Sequence, residues 1–390
     1  MPRARTAREE RLLRTVRDIV ERFPRRTAGS PDERGAAEYL GERFRRLGLQ
    51  VALQPVALAP HQHLPLIAGL ALVVLGAILL AWSAPLAAML AVVGVIVIVS
   101  EGNATPTISR FLPKRQSHNV LAKLPCRSAP ERTLVVVAHL DAARPTLFTH
   151  PRAVAIRRQS FVFATNAAGI VALLAVLGSF SSLTQIWWAA FAAGLYLLLY
   201  LAVLVHGSLN LSPSPGANDD ASGLAVLVEL PERLRALEGT EVWLLAVSGH
   251  ETGLAGMRQA LRLGVPRDAL VINLESVGAG SINLTLLEGY LRRTPVSRQL
   301  LQVGAHVVHD EQLAVRARAY RTEPTEANLC MRSGIAAISV VGVDRRGLPP
   351  NWHWRTDTLA NLDPSKIDVA ARLVEGIALR LDGPPPPLAT

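Results

Sequence analysis

The sequence predicts an α/β protein with a mostly parallel central sheet flanked by helices, plus four inserted transmembrane helices in two hairpins. Three observations carry this expectation. Strand-like and helix-like runs alternate through the polar parts of the chain. Leu134-Val135-Val136-Val137-Ala138 is apolar on both faces, as a strand in the middle of a sheet must be. Two stretches, residues 47–100 and 159–218, contain no Asp, Glu, Lys or Arg. Each is long enough for membrane spans of about 20 residues.

Residues 6–25 read as an amphipathic helix, with Leu12, Leu13, Val16, Ile19, Val20 and Phe23 at helical spacing. Ser30-Pro31-Asp32-Glu33 reads as a capping box with Pro in the first turn. Its helix runs through Ala36, Leu40 and Phe44 and stops near Gly48. Residues 50–56 suit a strand. Residues 64–82 form the first span, Ser83-Ala84-Pro85 the break, and residues 86–100 a shorter return span. Ile, Leu, Val and Ala surround both helices with no polar face, which favours lipid over a buried core.

Residues 118–124 and 134–138 follow as strands, the second ending at His139-Leu140-Asp141. Residues 161–180 and 186–206 make the second hairpin, in which Thr165 and Asn166 are expected to bond across helices. Further strands are expected at 241–247, 269–274, 315–320 and 335–341, with helices at 257–263 and 365–381. Segments 1–60, 102–158 and 208–383 are therefore expected to form one discontinuous domain. The hairpins at 64–100 and 161–206 interrupt it, and 384–390 is a Pro-rich tail.

The 390 residues are 50% hydrophobic and only 18% charged, with a formal net charge of +10 and a mean hydropathy of +0.27. Scattered Arg without a nucleic-acid motif points to an anionic lipid surface as partner, and no nucleic acid is expected. Cys126 and Cys330 form no pair or framework, which fits a reducing compartment. The first apolar segment follows a long charged stretch, so no signal peptide is expected. Arg43, Arg45, Arg46, Arg110, Lys114, Arg115, Arg157 and Arg158 flank the spans, whereas the hairpin turns carry no Lys or Arg. The positive-inside rule then makes this an integral, multi-pass membrane protein with four spans and both termini and the soluble domain in the cytoplasm. Spans without charged residues argue against a transporter.

The stretch Pro215-Gly216-Ala217-Asn218-Asp219-Asp220-Ala221-Ser222-Gly223 sets two adjacent carboxylates between a small-residue turn and an apolar helix. One carboxylate suffices for a helix cap; two beside small residues also suit a cation. His139, Asp219, Glu251, Glu275 and His353 all fall at strand ends or in the loops after them, the edge where sites form in open α/β sheets. Each alone has an ordinary explanation, as a strand-end histidine, a helix-start acid or a solvated acid. Together they supply two imidazoles and three carboxylates, a donor set that zinc accepts. One carboxylate shared between two ions would use all five.

These segments resemble peptidase family M28, which includes dinuclear zinc aminopeptidases. His139-Leu140-Asp141 resembles its His-x-Asp, and residues 216–223 its Gly-Ala-x-Asp-Asn-Ala-Ser-Gly. Residues 250–256 resemble its Glu-Glu-x-Gly-Leu-x-Gly, Asn273-Leu274-Glu275 its Asn-Leu-Asp, and residues 352–358 its last ligand segment. The resemblance implies two divalent ions, expected as zinc. His139, Asp219 and Glu275 would hold one, and Asp219, Glu251 and His353 the other. It further implies that Asp141 orients His139, that the reaction is hydrolysis of N-terminal peptide bonds, and that peptide or protein N-termini are the substrate.

Two departures stand out. Glu275 replaces the family's Asp, and His250 stands at its general-base Glu. The sequence expectation is a membrane-anchored, metal-dependent exopeptidase of the aminopeptidase type, with His250 as base. The alternative is a metal-binding module that recognises peptides with little or no catalysis.

Overall fold

The computed structural model describes residues 4–181, 183–235 and 237–383; the Pro-rich tail lies outside them. The chain divides into two units. One comprises Met1–Pro60, Lys114–Ala143 and Pro213–Thr390, the other His61–Pro113 and Arg144–Ser212. The apolar unit thus takes in residues 102–113 and 144–158 as well as the hairpins.

In the first unit, helix α1 (Ala7–Arg22) opens with a complete capping box, in which Thr6 and Glu9 each accept the other's backbone N–H. Helix α2 (Pro31–Arg46) is capped by Ser30, whose Oγ accepts Glu33 N–H. The Glu33 carboxylate does not close the box. It accepts instead from Gly29 N, Ser117 Oγ, Ser248 Oγ and Gly249 N at 2.7–3.0 Å.

Strand β1 (Gln50–Leu58) leads into α3 (Leu64–Leu79) and α4 (Ala84–Gly102) of the second unit. Strands β2 (Arg115–Leu124) and β3 (Arg132–His139) follow, then α5 (Arg157–Gly178) and α6 (Thr184–Asn210). The chain re-enters the first unit and continues through α7 (Ser222–Glu229), α8 (Pro231–Leu234), β4 (Thr240–Val247), α9 (Ala255–Leu263) and β5 (Leu270–Glu275). It ends with β6 (Ser281–Glu288), β7 (Thr294–Pro295), α10 (Arg298–Asp310), β8 (Val315–Tyr320), α11 (Glu326–Arg332), β9 (Ala336–Val343) and α12 (Pro364–Asp382).

The sheet order is β1-β2-β4-β3-β5-β9-β6-β7, with β8 also on β6. It is mixed rather than mostly parallel. The central run β4-β3-β5-β9 is parallel, while β1–β2, β2–β4, β9–β6 and β6–β7 are antiparallel. Connection length is one reason. A parallel pair needs a crossover of a dozen or more residues. Helix-bearing segments link β3 to β4 and β4 to β5, but only residues 289–293 link β6 to β7. Strands β1 and β2 form an antiparallel pair opened by the first insertion, the chain leaving at Leu58 and returning at Arg115. Leu134, Val136, Leu244, Ile272 and Ile338 of the central strands share one core with Leu224 of α7 and Ile367 and Val374 of α12.

In the second unit α3 packs on α4, α4 on α5, α5 on α6, and α3 on α6. Among the described residues, three helices are long and apolar enough to cross a membrane, at Ala84–Gly102, Val154–Gly178 and Thr184–Asn210. The fourth expected span is a 16-residue helix, Leu64–Leu79, about 24 Å at 1.5 Å per residue. Leu75, Met89, Ile96, Phe163, Ile170, Leu173 and Leu199 stand exposed, an outer surface suited to lipid. Thr165 does not bond across helices; its hydroxyl donates to Phe161 O one turn back in its own helix, and Asn166 is exposed.

Candidate metal centre

Strands β4, β3 and β5 run parallel and in step, Val247 opposite His139 and Val137 opposite Asn273. Their C-terminal ends therefore deliver His139, the turn Ser248-Gly249-His250-Glu251, and Glu275 to one edge. Asp219 comes from the irregular turn Ala217–Ala221 that precedes α7. Gly216 enters that turn at φ +67°, where a side chain would be strained. A Cβ on Gly216 would also lie 2.8 Å from Ala142 Cβ and from Arg26 Nη2. His353 arrives on the loop after β9.

All five expected ligands are brought together, with their side chains buried. Asp219 Oδ1 lies 3.1 Å from His139 Nε2, and Asp219 Oδ2 lies 3.2 Å from His353 Nε2. The two carboxylate oxygens thus face one imidazole each. Glu275 Oε1 is 3.7 Å from His139 Nε2, and Glu251 Oε1 is 3.0 Å from His353 Nε2. Zinc takes such donors at about 2.0–2.2 Å, so neighbouring donors on a tetrahedron stand about 3.3–3.6 Å apart, close to these separations. Neither carboxylate oxygen of Glu275 has a hydrogen-bond partner among the described residues, although both are buried. A buried acid left so is costly in a protein and ordinary beside a cation. The residues present fit two divalent ions.

The surrounding groups hold these donors in place. Asp220 accepts from His139 N, Gly223 N and Ser276 N, each at 3.2 Å. Asp357 accepts from Asn218 N at 2.6 Å and Asp219 N at 3.1 Å. The buried Arg26 guanidinium donates to the carbonyls of Leu140, Phe23, Pro215 and Gly216, tying the Asp219 turn to the end of β3. Asp141 contributes with two different atoms. Its main-chain carbonyl lies 2.8 Å from His139 Nδ1, while its carboxylate accepts from His250 N and Glu251 N at 2.9 and 3.0 Å. Its Oδ1 stands 3.7 Å from His139 Nδ1.

His250 stacks on His139, with ring centroids 4.2 Å apart. Its Nδ1 lies 2.8 Å from Glu326 Oε1 and its Nε2 3.8 Å from Glu323 Oε2. Glu323 Oε1 accepts from Trp352 Nε1 at 3.0 Å, and its Oε2 is 3.7 Å from His353 Nε2. Glu323 and Glu326 were not among the sequence candidates. Thr325 caps α11 through Asn328 N, so Glu323-Pro324-Thr325-Glu326 reads locally as an ordinary helix start. Donor atoms of His139, His250 and Glu275 fall within mutual ligand distance, as do those of Asp219, Glu323 and His353.

Burial and mutual charge shift the titration of these groups in different directions. Burial opposes the imidazolium of His353, but Glu251 and Glu323 outweigh it and raise the pKa to about 10. Burial likewise opposes charge on His139, which Asp141, Asp219 and Glu275 nevertheless raise well above the ordinary value. Burial raises Glu275 well above the carboxylate range. Asp219, against the cost of its own burial, is held well below that range by His139 and His353. Burial, with Asp219 beside them, lifts Asp220 to about 8 and Asp357 to about 7.

Comparison with known proteins bears on the family and the fold. Residues 203–378 match the family description "Peptidase family M28". None of the curated proteins matches the sequence. Among solved structures, an aminopeptidase from Aneurinibacillus sp. strain AM-1 is similar at 16% identity and TM-score 0.57, covering 98% of this chain and 95% of that one. A zinc aminopeptidase from Bacillus subtilis is similar at 12% identity and TM-score 0.57, covering 96% and 95%. The glutaminyl cyclase of Tannerella forsythia is similar at 12% identity and TM-score 0.53, covering 95% and 97%. The fold is therefore that of the zinc aminopeptidases, a fold that also carries a cyclase. Over residues 203–378 the chain matches peptidase family M28, and this family resemblance supports a metallopeptidase.

Proposed function

We propose that the chain is a membrane-anchored metallopeptidase of the aminopeptidase type, cleaving N-terminal peptide bonds at a centre for two divalent ions, expected as zinc. One observation carries the reading: the two oxygens of Asp219 face two different imidazoles, each with a further carboxylate at ligand distance. His139, Asp219 and Glu275 would hold one ion, and Asp219, Glu251 and His353 the other. Ions held there supply Lewis acidity toward a water and a scissile carbonyl.

The chain's own groups divide the remaining work. His250 is assigned as general base. Glu326 accepts the Nδ1 proton, which fixes the tautomer and leaves Nε2 to take up a proton. Asp141 fixes the 250–251 turn through its carboxylate and the His139 ring through its carbonyl. Burial opposes charge on His250, but Glu326 and Glu323 hold it protonated in the metal-free chain. His250 would give up that proton, and so be free to act as base, with the centre loaded.

The apolar helices and their exposed Leu, Ile and Phe support membrane anchorage. The flanking Arg residues favour a cytoplasmic catalytic domain. A second reading, a peptide-binding module without turnover, draws support from the His at position 250 itself.

The test is turnover of aminoacyl peptides by the zinc-loaded protein and by His250→Ala. The rate should fall about 10²–10⁴-fold in the variant with metal content unchanged. Loss of metal would instead make His250 a ligand. Absence of turnover in the fully loaded wild type would favour the binding module.

A further inference from the structure

We infer that Glu323 is a protein ligand of the ion shared by Asp219, Glu251 and His353, so that this ion is enclosed by four side chains while the other has three. The inference rests on the two-ion reading above and deepens it.

Glu323 is buried, and its two oxygens are differentiated. The indole N–H of Trp352, the neighbour of His353 in sequence, fixes Oε1 at 3.0 Å. That bond turns Oε2 inward, to 3.7 Å from His353 Nε2. Single donor atoms of Asp219, Glu323 and His353 all lie within 4.8 Å of one another. An independent feature marks the same centre as a cation site: among the described residues, neither oxygen of the buried Glu275 has a hydrogen-bond partner.

Charge balance supports the assignment. Two divalent ions bring four positive charges. Asp219, Glu251 and Glu275 bring three negative ones, and Glu323 supplies the fourth. A buried centre is most stable when its charges are compensated within it. Glu326 is engaged separately, by His250 Nδ1 at 2.8 Å.

The consequence is an unequal centre. Zinc with four protein ligands is closed, whereas zinc with three keeps a position for water or substrate. The His139–Asp219–Glu275 ion is then the open one, because His250, which also has a donor atom within 4.8 Å of those of His139 and Glu275, is assigned above as base and not as ligand. Of the two, that position is the one left open to water or substrate.

The test is zinc and cobalt titration of the full-length, detergent-solubilised protein, comparing wild type with Glu323→Gln and Glu323→Asp. Wild type should take two ions. Glu323→Gln should keep one tight ion and bind the second at least about 10–100-fold more weakly. In the cobalt form it should lose part of the intense tetrahedral absorption. Glu323→Asp, which keeps a donor, should recover much of the second affinity and decides the matter if Glu323→Gln does not fold. Two ions with unchanged affinity and unchanged cobalt bands in Glu323→Gln would overturn the assignment while leaving the two-ion centre standing. No bound metal in the wild type would overturn both.

Discussion

Asp219 and Asp220 are adjacent carboxylates with divided tasks. Asp219 faces the imidazoles, and Asp220 ties together the ends of β3, β5 and α7 through three backbone N–H groups. The sequence showed that two carboxylates are more than a cap requires, and the family resemblance pointed to Asp219 as the ligand, but it did not show the task of Asp220. Glu33 is a similar case. It looks like half of a capping box but anchors the turn leading to His250. Burial, with Asp141 nearby, raises it to about 7. The unfolded value is lower, about 4.3, so between those values the folded state binds more protons. Stability of the metal-free protein should then fall as pH rises from about 4 to 7, by up to about 3 kcal/mol from this group. Denaturant midpoints at pH 5 and 7.5 check it. The drop should be smaller in Glu33→Gln, and an equal drop in both proteins would remove Glu33 from the account.

Glycines separate tight contacts from open ones in the apolar helices. Gly94 of α4 lies against α3, where an added Cβ would stand 2.6 Å from Gly69 O. Gly169 of α5 has nothing within 4 Å of such a Cβ. Gly169→Ala should therefore stabilise by about 0.5–1 kcal/mol, whereas Gly94→Ala should destabilise by forcing the helices apart. Thermal unfolding in detergent should show shifts of opposite sign. Shifts of the same sign would contradict the packing described. The strands that carry the site were legible because β3 and β5 are apolar runs ending in His139 and Glu275, and β4 is one followed directly by Ser248-Gly249-His250-Glu251. Strands β6 and β7 and helix α10 were not. β6 reads Ser281-Ile282-Asn283-Leu284-Thr285, yet Asn283 and Thr285 are buried with the apolar positions, so polarity did not mark its faces. That gap hid the antiparallel pairing of β6 with β7 and β9, and α11 was not read either, so the β8–α11 connection that delivers Glu323 and Glu326 went unseen.

Both apolar insertions occur between elements of the sheet-bearing unit, one between β1 and β2 and one between β3 and the Asp219 turn. Their absence of charge made them visible in the sequence, as did the order of the five ligand segments. The lengths were less legible: the segment expected as the longer first span is the 16-residue helix, and its return is the 19-residue one. Helix ends depend on local hydrogen bonding, which hydropathy does not report. The whole chain should remain in the membrane pellet after alkaline carbonate extraction and require detergent for release; release by carbonate would contradict anchorage by spans. The most direct test of the centre is elemental analysis of protein dialysed against trace zinc, wild type beside Asp219→Ala. Two ions per chain, lost when the shared carboxylate is removed, is the predicted result. A wild type without bound metal, or an Asp219→Ala variant that keeps both ions, would contradict it.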